Sequence, residues 1–133
     1  MRCYIAHSFK HRDKQAGLLD TIIQVLSDNG HEAFIFSRHY PNFQPGQEKQ
    51  MMTAAIKEME LSDCIIAEVS TKEIGVGLEI GFFAAKQKPI VYIYKEGSDF
   101  STTVNGVADK TIVYKSVEDV RRQLNSLDLL SSS

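Results

Sequence analysis

The chain has no tryptophan, three prolines, two cysteines and no apolar stretch long enough to cross a bilayer, and each shortage excludes something. Two cysteines rule out a disulfide-dense scaffold. Cys3 and Cys64 lie in separate strand-like runs, where a free thiol behaves as a small buried apolar group, and they lack the spacing of a metal site. A basic excess is also missing: 15 Lys and Arg stand against 17 Asp and Glu, for a net charge of -2. That balance argues against a nucleic acid polymer or an anionic membrane surface as partner. With no spanning segment, and with Met1 leading directly into a short strand, the expectation is a cytoplasmic protein without membrane attachment. Internal repeats, low-complexity tracts and linkers are absent. A chain of 133 residues, 43% hydrophobic and 24% charged, suits one domain over 1-133 that buries its own core. No cofactor and no metal is expected, because His7, His11 and His31 have no partners at ligand spacing.

What is present is an alternation of two periodicities. Arg2 to Ala6 is a short apolar strand broken at His7-Ser8-Phe9-Lys10. Leu18, Leu19, Ile22, Ile23, Val25 and Leu26 then recur at helical spacing, and Asn29-Gly30 is a helix stop. A second strand is predicted over His31 to Phe36 and a loop over Ser37 to Gln47, which holds Pro41, Pro45 and Gly46. A helix follows from about Glu48 to Leu61, then a third strand from Cys64 to Val69. Next come a helix from Gly75 to about Lys86 and a fourth strand from Ile90 to Tyr94. A polar loop through Gly97 to Gly106, a fifth strand near Thr111 to Tyr114 and a last helix from Val117 to Leu127 complete the chain. Ser131-Ser132-Ser133 reads as a frayed end.

Runs such as I-I-A and I-V-Y-I-Y are apolar on both faces, as strands covered by helices on both sides must be. The fold class is therefore α/β: a flavodoxin- or Rossmann-like, doubly wound, five-stranded parallel sheet of order 2-1-3-4-5. Such sheets bind ligands outside the carboxyl ends of the strands at the switch in strand order, here between strands one and three.

The loop after strand one brings Ser8 and Lys10 to that cleft, and the segment after strand three brings Glu73, Gly75, Gly77 and Glu79. Glu79 is the residue that needs explaining. It is the one acid in the apolar segment I-G-V-G-L-E-I-G-F-F-A-A, and it reads as a first-turn helix carboxylate that can stay ionised beside a ligand. An exposed acid favoured only by the helix dipole is the plain alternative. The glycine pair G-V-G fits either a tight turn into the helix or a phosphate-cradling loop, and no dinucleotide fingerprint accompanies it. His39, Tyr40 and Phe43 in the proline-bearing loop either pack locally or stack on a planar ligand.

The block from Asp63 to Tyr92, with A-E-V-S-T-K-E-I-G-V-G-L-E-I-G at its centre, and the downstream Ser101 and N-G-V-A-D from Asn105, resemble the nucleoside 2-deoxyribosyltransferase superfamily. The likeness is strongest to its 2′-deoxynucleoside 5′-phosphate N-hydrolase branch. It runs nearly end to end, with Tyr4 and Ser8 carrying the amino-terminal half. The resemblance implies cleavage, by hydrolysis or transfer, of the N-glycosidic bond of a (deoxy)nucleoside or its 5′-monophosphate. Glu79 would attack C1′, and Tyr4 would orient it or line the sugar pocket. Ser8, Lys10 and the Gly75 and Gly77 amides would hold the 5′ end, with Glu73 and Asn105 also at the substrate. Ser101 matches a residue that the family donates across a subunit interface, which implies a homo-oligomer, a dimer or larger.

Two positions depart from the pattern. The aspartate that the family places before strand three to protonate or hold the leaving base falls on Ala55. Glu48, Glu58 and Glu60 lie nearby in sequence. Glu73 stands where the nucleotide hydrolases carry serine and the nucleoside transferases aspartate, so it disfavours a phosphate. Lys10, the nucleotide-like Ser101 and the overall match favour one, and the expectation leans to a nucleotide or phosphorylated nucleoside. Two other readings are available. I-A-H-S-F-K-H-R-D resembles the opening of bacterial Toll/interleukin-receptor-like domains, some of which cleave NAD with a helix glutamate. A nucleotide-binding module without catalysis would suit Ala55.

Overall fold

The computed structural model describes residues 1–40 and 42–128. The expected frayed end, Ser131-Ser132-Ser133, and Pro41 of the expected loop lie outside the described residues. Five strands, β1 (Arg2–Ala6), β2 (Glu32–Phe34), β3 (Cys64–Glu68), β4 (Ile90–Lys95) and β5 (Lys110–Tyr114), form one sheet of order β2-β1-β3-β4-β5. Every neighbouring pair is parallel, with Cys3 opposite Cys64 and Ala67 opposite Tyr92 in the ladders. Fold class and strand order are those expected.

The helices are α1 (Ala16–Asp28), α2 (Phe36–His39), α3 (Glu48–Glu60), α4 (Ile74–Ala85), α5 (Thr102–Val107) and α6 (Val117–Ser126). Alternation along the strands divides the core in two. Cys3 and Ile5 of β1 face one side with Cys64, Ile66, Val91, Ile93 and Ile112, and α1 and α6 cover them through Leu19, Ile22, Val120 and Leu124. Tyr4 and Ala6 face the other side with Ile65, Ala67 and Tyr92, beneath Met59 of α3 and Val76, Ile80 and Phe83 of α4.

The element ends follow local chemistry. After α1, Gly30 takes a positive φ of 80°, which lets His31 N–H reach Leu26 O at 2.8 Å and Gly30 N–H reach Ser27 O at 3.1 Å. The same closure follows α4, but there a non-glycine, Gln87, takes φ 57°. Ser116 caps α6, its hydroxyl accepting from Asp119 N–H at 3.2 Å.

Three expectations need correction. The second strand ends at Phe34, and Phe36 begins a short helix inside the stretch expected to be strand end and loop. The polar loop around Gly97 to Gly106 contains α5, which Ser101 caps. Helix α4 begins at Ile74, so Gly75 and Gly77 lie within its first turns and Glu79 in its second turn, beyond the first-turn position expected. No helix among the described residues is long and apolar enough to cross a membrane.

Candidate active site

A cavity of about 790 Å³ opens at the carboxyl ends of the strands, where the sheet order switches between β1 and β3. Three segments supply its wall. The end of β1 and the turn after it give Tyr4, Ala6, His7, Phe9 and Arg12, and the start of α4 gives Glu73, Gly75, Val76 and Glu79. The stretch through α2 and α3 gives Phe36, Tyr40, Phe43, Met51, Met52 and Ala55.

Glu79 reaches this cavity because α4 packs Val76, Ile80 and Phe83 onto the sheet. The carboxylate then lies over Tyr4, whose hydroxyl donates to Glu79 Oε2. Burial pushes the Glu79 carboxyl up to about 7, and the Tyr4 hydrogen bond opposes that rise by stabilising the charged form. Tyr4 is itself buried between Phe34 and Phe83, and burial, then the neighbouring Glu79 charge, hold its phenol far above the usual range. Tyr4 therefore stays a proton donor to Glu79 and does not become a base.

At the start of α4, Glu73 is held from the other side of the cleft. Ser8, 1% exposed, donates its hydroxyl to Glu73 Oε1 at 3.0 Å and accepts from His11 N–H at 3.2 Å. Its single hydroxyl proton is thereby committed to a carboxylate. Gly77 N–H donates to Glu73 O at 3.1 Å, so that amide belongs to the helix, whereas Gly75 lines the cavity. His7 contacts Ser8 O at 3.0 Å and Ser37 Oγ at 3.1 Å, and burial lowers its pKa.

Lys10 is exposed and outside the lining; the cation at the cavity is Arg12, which donates to Phe9 O at 2.9 Å and stacks over the Phe9 ring. Ser101 caps α5 through Val104 N–H at 3.1 Å, and Asn105 accepts from Thr111 Oγ1 at 2.9 Å. Neither lines the cavity of its own chain. The structure thus brings Tyr4, Glu73, Gly75 and Glu79 together at the cavity, with Ser8 behind Glu73. Lys10, Gly77, Ser101 and Asn105 stand apart.

Phe36 stacks on Tyr40 at 4.6 Å between ring centroids, and Phe43 lies 6.1 Å from Phe36, so this wall is a continuous aromatic surface. Ala55 is on it, and none of its acidic neighbours takes its place. Glu58 is bound to Arg2 at 2.8 Å and to the Tyr40 hydroxyl at 2.5 Å, with its pKa lowered first by Tyr40, and Glu48 and Glu60 are exposed and outside the lining. Arg12, Phe9, Phe36 and the two methionines were not among the sequence candidates. The four-residue step from Met51 to Ala55 within α3 is the signal that could have placed that methionine on the cavity face; Phe9 and Arg12 lie in the turn before α1, where helical spacing gives no such signal. Among the described residues, no three His, Cys, Asp or Glu side chains cluster to hold a metal.

The sequence profile of the nucleoside 2-deoxyribosyltransferase family matches residues 3–126. The chain belongs to that family. The 5-hydroxymethyl-dUMP N-hydrolase of Branchiostoma floridae is 30% identical over 95 residues, covering 69% of this chain and 90% of that one. Among solved structures, the 2-deoxyribosyltransferase of Bacillus psychrosaccharolyticus superposes with a TM-score of 0.76 at 15% identity, over 99% of this chain and 96% of that one. The CMP N-glycosidase of Clostridium botulinum gives 0.67 at 20% identity, over 96% of this chain and 100% of that one. The structural likenesses establish the fold, and family membership establishes an enzyme of N-glycosidic bond cleavage or transfer on deoxynucleosides or nucleotides.

Proposed function

We propose that this family member cleaves its N-glycosidic bond through a covalent glycosyl-enzyme on Glu79. One observation carries the reading: the Glu79 carboxylate, in the second turn of α4, lines the cavity at the strand switch point, held by the hydroxyl of buried Tyr4. Glycosidic cleavage develops positive charge at C1′ and its ring oxygen. A carboxylate fixed beneath that carbon stabilises the charge and then bonds to it. Tyr4 orients the nucleophile and keeps a fraction of it ionised near neutral pH.

At the 5′ end, the arrangement favours a free hydroxyl. Glu73 already accepts a hydrogen bond from the Ser8 hydroxyl and can accept another from a substrate hydroxyl, whereas a phosphate dianion a few ångströms away is repelled by several kcal/mol at an effective dielectric near ~20. Among the described lining residues, Arg12, held to Phe9 O, is the one Lys or Arg on the wall to offset that repulsion. The aromatic surface of Phe36, Tyr40 and Phe43 receives the base.

A second copy of the chain belongs to the reading. Ile74 and Leu78 are 91% and 59% exposed and share a face of α4 with half-buried Phe82, at four-residue steps that form an apolar stripe beside the site. A symmetric contact there buries the stripe, and Ser101 then serves the neighbouring cavity.

The test is a panel of nucleosides, 2′-deoxynucleosides and their 5′-monophosphates assayed for free base. Release from nucleosides by the wild type, greater than from the matching monophosphates and abolished in Glu79→Ala, is expected. Undiminished release by Glu79→Ala refutes the nucleophile, and preference for monophosphates refutes the 5′ assignment.

A further inference from the structure

We propose that the substrates are N-glycosides whose base carries a formal positive charge, such as N7-alkylated purine or pyridinium nucleosides. The inference rests on the reading of Glu79 as nucleophile and concerns the leaving group.

An ordinary base departs as an anion unless an acid protonates it, and such an acid is worth about 10²- to 10⁴-fold in rate. Among its described residues, the wall that receives the base has none. Every described lining residue from Phe36 to Ala55 is uncharged: the rings and methionines are apolar, and the polar members are Ser37, Asn42, Gln44 and the Tyr40 hydroxyl. That hydroxyl already donates to Glu58, whose carboxylate is bound to Arg2 and held below its usual range. The two lining acids, Glu73 and Glu79, sit on the α4 side, where Glu73 is taken by Ser8 and Glu79 by Tyr4.

A positively charged base removes the need for that acid. Glu79 bonds to C1′, the C1′–N bond breaks, and its electron pair returns to the nitrogen, cancelling the positive charge, so a neutral base leaves without taking a proton. Water then attacks C1′ and releases a proton to solvent, and the ester bond breaks to restore the Glu79 carboxylate.

The rest of the cavity suits a cation. Among the described lining residues two carboxylates stand against one guanidinium, and three aromatic rings, Phe36, Tyr40 and Phe43, border the base wall, ring systems of the kind that attract cations. A cation bound beside Glu79 also favours the ionised nucleophile, offsetting the burial that pushes its carboxyl up to about 7.

The test compares kcat/KM of the wild type for N7-methylguanosine against guanosine and for a pyridinium riboside against uridine, with the 2′-deoxy pairs alongside. The expected result is a preference for the charged member of each pair of at least about 10²-fold, the value of the missing acid. Ala55→Asp, which places a carboxyl on the base wall, is expected to narrow that ratio by raising the rate on the neutral members. Turnover of neutral parents by the wild type within tenfold of their charged partners overturns the inference while leaving Glu79 as nucleophile intact. No base release from either member of any pair, with no sugar on Glu79, overturns the proposed function and this inference with it.

Discussion

Replacing Glu79 by glutamine should make the protein more stable, and by an amount that depends on pH. The carboxyl has an ordinary value of 4.5 and is pushed up to about 7 by burial, so the folded state holds its proton more tightly than the unfolded chain does. Its favourable contribution is complete below the unfolded value and is lost as pH rises through the folded one. Linkage over that interval gives a cost of ionising Glu79 of about 1 kcal/mol at pH 5 and about 3 kcal/mol at pH 8. Glutamine keeps the shape and still offers an oxygen to the Tyr4 hydroxyl, but has no charge to desolvate. At roughly 3 to 4 °C per kcal/mol for a chain of this size, Tm should rise by about 10 °C at pH 8 and by about 3 °C at pH 5. Thermal unfolding of both proteins across this range, by circular dichroism, measures it. An equal shift at the two pH values, or a loss of stability at pH 8 in a folded variant, refutes the reasoning. The outcome also bears on function: a carboxylate that costs stability at its own site is held there by something other than folding.

Tyr4→Phe removes the hydrogen bond that stabilises the charged nucleophile, worth about 1.5 to 3 kcal/mol, so the Glu79 pKa should rise further by about one to two units. Base release at pH 7 should fall about 5- to 50-fold and recover above pH 9, and an unmoved acidic limb in the pH–rate profile would contradict the assigned role. Leu78→Glu, placed in the exposed α4 stripe, should shift the protein to monomer by light scattering; a dimer that survives it does not use this face. Gln87 takes φ 57°, a left-handed conformation that glycine adopts without cost, so Gln87→Gly should raise stability by about 1 kcal/mol in urea unfolding, and a loss there would show that the Gln87 side chain contributes more than its backbone strain costs.

The sheet was legible in the sequence because both of its determinants are local. Apolar runs such as Cys64–Glu68 mark strands buried on both faces, and the helical spacing from Leu18 to Leu26 marks their cover; right-handed crossovers then make the sheet doubly wound, and 2-1-3-4-5 is one of the common orders of such sheets. Glu79 was legible as a lone acid in an apolar helix, though not the turn it occupies, since Gly75 and Gly77 suggest a loop while the structure uses them as helix. Helix α5 hid in a polar segment because a six-residue helix has no periodicity to show and is fixed by its Ser101 cap. The exchange of Lys10 for Arg12 reflects the compact turn after Ser8, where Gln15 N–H closes on His11 O at 3.2 Å, a tertiary detail that sequence distance does not carry. The aromatic wall was out of reach for the same reason: Phe36 meets Tyr40 and Phe43 only because the chain turns into α2 directly after β2.

The central claim is that Glu79 becomes covalently bonded to the sugar, and the most direct measurement is peptide-level mass spectrometry of the protein acid-quenched during turnover. The account predicts a pentosyl mass increase on the peptide containing Glu79, localised to that residue and absent from Glu79→Gln. Base release accompanied by an adduct on a different residue, or by steady turnover in Glu79→Gln, would contradict it.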